Sequence, residues 1–106
     1  MCGIFFYFGK KYHFENLLID FNKIINRGPD QSKLIDLDDK VFGFHRLAIN
    51  DLSEDGMQPF IDNNIYLICN GEIYNHIFLK NEFNIDCKSN SDCEVIIHLY
   101  KLVGIE

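Results

Sequence analysis

Arg27-Gly28-Pro29-Asp30 is the stretch that most constrains how this chain can fold, because the hydrophobic period changes across it. Before it, Phe14, Leu17, Leu18, Phe21, Ile24 and Ile25 recur three and four residues apart, the spacing of a helix stripe, and the glycine and proline then stop that helix. After it, residues 34–37 and 41–49 read as two strands joined around Asp38-Asp39, with alternation too imperfect to fix their faces. Ahead of the helix, residues 4–8 are a short apolar and aromatic run ended by Gly9, the pattern of a buried strand.

Residues 50–64 hold most of the turn formers of the middle and read as a loop. Residues 65–69 read as a strand that breaks at Asn70-Gly71, and Asn75 is placed to cap a short helix over residues 77–83. Ser91 with Glu94 has the spacing of a capping box ahead of an apolar stripe at Val95, Ile96, Leu99, Leu102 and Val103. A clean βαβ rhythm is missing, and the tight turn between two strands favours antiparallel pairing. The expected class is therefore α+β, and 106 residues suffice for one domain.

A formal charge of -6 without any basic stripe argues against nucleic acid or an anionic membrane as partner. No apolar run approaches the length of a span, and residues 4–8 lack the flanks of a secretory signal, so a cytoplasmic location is expected. Cys2, Cys69, Cys87 and Cys93 form no CxxC pair; Cys69 reads as a small buried hydrophobe. Zinc held by these cysteines with His13, His45, His76 and His98 has no recognisable ligand spacing, and no metal is expected. Asp51, Ser53, Asp55, Gly56 and Asp62 imitate a calcium loop, but proline at position nine and aspartate at position twelve argue against one.

Three groups of residues carry chemistry. Once Met1 is removed, Cys2 would combine a thiol with a free α-amine, hence nucleophile and base in one residue; the alternative is an exposed thiol on a frayed terminus. Asn70-Gly71-Glu72 follows a strand, where an amide side chain and a glycine N–H can serve an oxyanion, or where Asn-Gly simply makes a type I′ turn. Arg46 offers a fork for a carboxylate, and Asp92 with Glu72 can hold an ammonium group. The alternatives are a surface ion pair for Arg46 and a first-turn acid favouring the helix dipole for Asp92.

In order along the chain come Met1-Cys2-Gly3-Ile4-Phe5, Arg27-Gly28-Pro29-Asp30, His45-Arg46-Leu47-Ala48-Ile49, Gly56-Met57-Gln58-Pro59, Asn70-Gly71-Glu72-Ile73-Tyr74-Asn75 and Ser91-Asp92-Cys93-Glu94. Together they resemble the glutamine amidotransferase domain, with N-terminal cysteine, of the asparagine synthetase family. The resemblance implies an N-terminal-nucleophile αββα sandwich that hydrolyses L-glutamine to glutamate and ammonia through a Cys2 thioester. In it Asn70 and Gly71 would hold the oxyanion, and Arg46 would take the α-carboxylate beside the backbone of Leu47, Ala48, Ile49 and Asn50. Glu72 and Asp92 would face the α-amine, and Gly3 would let the chain pass close to the substrate.

The resemblance implies no cofactor for the glutaminase step, with ATP and Mg confined to a synthetase domain absent from these residues. It further implies that residues 1–106 are only the N-terminal part of the amidotransferase domain, whose later strands a separately encoded remainder would have to supply. The family usually has histidine where this chain has Asn26. The rival readings are a non-catalytic module that binds glutamine or a partner, and a truncated relic without function.

Overall fold

The computed structural model describes residues 1–49 and 51–105, and its strands form two antiparallel sheets, one in each of the units Met1–Ala48 and Ile49–Glu106. The arrangement is mixed α+β. Among the described residues no helix is long and apolar enough to cross a membrane.

In the first unit β1 (Gly3–Phe8), β2 (Gln31–Asp36) and β3 (Lys40–Arg46) lie in the order β1-β3-β2. The β2–β3 turn forms where expected: Leu37 N donates to Lys40 O at 2.9 Å, and Asp38 takes the left-handed conformation at φ 69°. Gly3, Phe5 and Tyr7 pair with His45, Gly43 and Val41, and by the two-residue period these share one face. Helix α1 (Phe14–Asn22) buries Leu17 and Phe21, and Phe21 meets Phe5 edge-on at 5.8 Å. Ile4, Phe6 and Phe8 on the alternate positions are exposed, so β1 forms where expected but is covered on one face only, not buried as its apolar run implied. The helix ends before its apolar stripe does. Lys23 and Ile24 donate to carbonyls only three residues back, and residues Ile25–Arg27 tighten into a 3₁₀ turn leading into Gly28.

In the second unit β4 (Phe60–Asp62) pairs with β5 (Ile65–Leu67) across a turn at Asn63, which has φ 54°. β4 falls within the stretch expected to be loop, because three residues are too few to show a period. Helices α2 (His76–Glu82) and α3 (Val95–Val103) follow. Phe60, Cys93 and Ile97 form the core of this unit, packed by Ile65, Leu67 and the half-buried Cys69. The buried face of α3 includes Val95 as expected but departs from the stripe further on, with Ile97 inside and Leu102 and Val103 exposed.

Both expected caps differ. Neither Asn75 nor Ser91 makes a side-chain cap hydrogen bond. The Glu94 carboxylate instead accepts the amides of Lys88 at 2.8 Å and Ser89 at 3.0 Å, which fastens the preceding loop rather than closing a capping box.

Candidate functional site

Cys2 precedes β1 and Leu47 follows β3, so the register that sets Gly3 opposite His45 carries these two residues to the same end of the sheet. Leu47 N donates to Cys2 Sγ at 3.2 Å, and Sγ lies 3.6 Å from Leu47 O. The Arg27-Gly28-Pro29-Asp30 turn locks this end. Arg27 Nε donates to Cys2 O at 3.2 Å, Asp30 N to Arg46 O at 3.0 Å, and Ala48 N to Asp30 Oδ2 at 2.8 Å. Gly28 makes the close packing possible, since a Cβ there would stand 2.0 Å from His45 O. The half-buried Cys2 is therefore held in place, which answers the frayed-terminus alternative.

Arg46 is 4% exposed, and its Nη1 donates to Gln31 Oε1 at 2.8 Å from the paired position on β2. The residue is thus buried rather than at the surface. Its neighbour His45 has a structural role. It is fully buried, stacks on Phe21 at 3.8 Å, donates from Nε2 to Phe21 O at 2.9 Å and meets Ser32 Oγ with Nδ1 at 2.6 Å. A carbonyl only accepts, so Nε2 is a donor here. Leu47 and Ala48 are half-buried, Ile49 is exposed, and Asn50 lies outside the described residues. A side chain at Gly3 would meet Ile24 O at 3.2 Å and His45 Cβ at 3.4 Å, so a larger residue there has to displace its neighbours by a few tenths of an ångström.

In the second unit the chain passes from β5 into Asn70, Gly71 and Glu72, of which Asn70 is half-buried and the other two are exposed. Neither Asn70 nor Gly71 has positive φ, so the type I′ turn is not formed. The loop is pinned from the turn before α3: Cys93 Sγ donates to Gly71 O at 3.5 Å, and Ile73 N donates to Asp92 Oδ2 at 2.6 Å. Asp92 is buried and does more than favour a helix dipole. Burial, hydrogen bonding with Cys69 and nearby negative charge push the Cys93 thiol well up. In the calcium-like stretch Asp51 accepts the amides of Ser53 and Asn90, and Asp62 accepts from Lys101 at 2.5 Å.

Gln31 and the bracing by Asp30 were missed at the level of sequence. The signal for Gln31 was available in the β2–β3 register, once the turn at Asp38 is fixed.

The glutamine amidotransferase domain family matches residues 1–106. The chain is 48% identical over 114 residues to a probable glutamine-hydrolyzing asparagine synthetase of Acanthamoeba polyphaga mimivirus, covering 100% of this chain and 21% of that protein. Over 112 residues it is 39% identical to the glutamine-hydrolyzing asparagine synthetase of Mesocricetus auratus and 38% identical to that of Homo sapiens, again covering 100% of this chain and 20% of each relative. The chain spans about a fifth of the length of these relatives. With its whole length matched in this way, the chain belongs to the glutamine amidotransferase domain family.

Proposed function

We propose that the chain hydrolyses L-glutamine to glutamate and ammonia, as the amidotransferase part of an asparagine synthetase acting in the cytoplasm. The observation that carries the reading is Cys2 Sγ held at 3.2 Å from the Leu47 amide, beside the buried Arg46. After removal of Met1, Sγ attacks the side-chain carboxamide carbon while the α-amine takes the thiol proton. The C–S bond forms, and the C–N bond breaks as the amine passes the proton to departing ammonia. Water, deprotonated by the same amine, then cleaves the thioester to release glutamate and restore the thiol.

Asn70 and the Gly71 N–H serve the oxyanion, and loss of one such donor typically costs about 10²–10³ in rate. Arg46 takes the α-carboxylate beside Leu47 and Ala48, and Glu72 and Asp92 take the α-amine. These steps draw on no metal or organic cofactor; ATP and Mg belong to amide transfer in the synthetase part. The fold is the N-terminal-nucleophile αββα sandwich, completed by a remainder of the domain outside these residues.

The test is ammonia release from glutamine, with intact mass recorded on the same sample. The reading expects Met1 to be absent and the Cys2→Ala protein to be inactive. Ammonia release that persists in Cys2→Ala, or in protein that keeps Met1, overturns it.

A further inference from the structure

Residues 87–98 bring together three side chains that the glutaminase chemistry does not use. Cys87 lies in the loop before α3, Glu94 at the start of that helix and His98 one turn on, the i, i+4 spacing that sets two ligands on one face. One ligand atom from each lies within 4.8 Å of the other two. Sequence spacing conceals this set, because one member is a carboxylate and the cysteine is carried in by the loop.

We propose that Cys87, Glu94 and His98 bind one Zn²⁺, with water in the fourth position. Sulfur, imidazole and carboxylate are the donors zinc accepts, whereas calcium and magnesium call for oxygen alone. Tetrahedral zinc sets such donors roughly 3.3–3.8 Å apart, so the cluster closes by about an ångström through side-chain rotation. Glu94 is already oriented. Its Oε1 accepts Ser89 N and its Oε2 accepts Lys88 N, the Cys87 thiol is hydrogen-bonded to the same carboxylate, and His98 Nε2 stands 3.4 Å from Oε2. This is the outer bracing that ligands of metal sites share.

On binding, Cys87 forms the S–Zn bond and its thiol proton leaves to solvent. Thiolate, carboxylate and neutral imidazole then bring a charge of minus two against the dication. The bound metal clips the residue 87–89 loop to α3.

The full chain, stripped with chelator, is titrated with Zn²⁺ and separately with Co²⁺. Expected are one Zn²⁺ per chain and a thiolate-to-cobalt absorption that persists in Cys2→Ala and is absent from Cys87→Ser. Zn²⁺ affinity should fall at least about tenfold in both Cys87→Ser and His98→Gln. The cobalt spectrum of the unaltered chain keeps the proposal falsifiable even where a variant folds poorly. Absence of the thiolate band from that spectrum, Zn²⁺ affinity unchanged by both substitutions, or metal lost with Cys2→Ala alone overturns it. None of these results depends on glutamine hydrolysis.

Discussion

Asp92 Oδ2 accepts the Ile73 amide at 2.6 Å, so the residue expected to face a substrate ammonium also fixes the loop that carries Asn70, Gly71 and Glu72. The two duties separate by substitution. Asp92→Ala leaves the Ile73 N–H without its partner and should cost about 1–3 kcal/mol in urea unfolding. Asp92→Asn keeps an oxygen acceptor but removes the charge, and should leave the urea midpoint near that of the parent while raising KM for glutamine. An unchanged KM in stable Asp92→Asn removes the ammonium role.

Gly28 packs against the backbone of β3, and backbone cannot swing aside as a side chain can. Gly28→Ala is expected to destabilise the chain by about 3 kcal/mol or more, read as a fall in the midpoint of chemical unfolding. A midpoint within error of the parent would mean that the turn does not brace this end of the sheet.

Burial, the hydrogen bond to Glu94 and its negative charge push the Cys87 thiol up to about 12, and the Cys93 thiol is likewise raised, chiefly by burial. Since thiolate is the reacting form, both should be alkylated by iodoacetamide at neutral pH about a hundredfold more slowly in chelator-treated native protein than after unfolding. Peptide mass spectrometry follows each site. Equal rates in the two states would contradict the packing described for them.

Burial raises the Glu94 carboxyl, but hydrogen bonds from Cys87, Ser89 and the amides of Lys88 and Ser89 outweigh it and hold the group below the usual glutamate value. A depressed carboxyl contributes stability above its unfolded value, near ~4.3, and loses it as pH falls through the folded value. Unfolding midpoints measured downward from pH 6 should therefore fall more steeply in the parent than in Glu94→Gln. Parallel curves would assign the acid sensitivity elsewhere.

The sequence displayed long and strongly patterned features best. Residues 4–8, the stripe through Leu17 and Phe21, and the Asp38 turn all led to the elements observed, because each rests on local period or turn chemistry. β4 was too short to announce itself, and the face of α3 depends on Phe60 and Cys93, which no helical period reveals. Among candidate residues, the fixed placement of Cys2 follows from strand register. Ser91 and Glu94 have the composition of a capping box, yet the Glu94 carboxylate goes to the amides of Lys88 and Ser89.

β1 lies at the margin of its sheet with Ile4, Phe6 and Phe8 on one outward side. Such a greasy rim governs behaviour in the test tube before any chemistry is measured. It invites strand-to-strand stacking between neighbours at high concentration and makes an environment-sensitive dye fluoresce. Phe8→Lys, at the last position of that rim, gives a quieter sample for physical work while leaving Phe5 and Tyr7, on the opposite side, as they are.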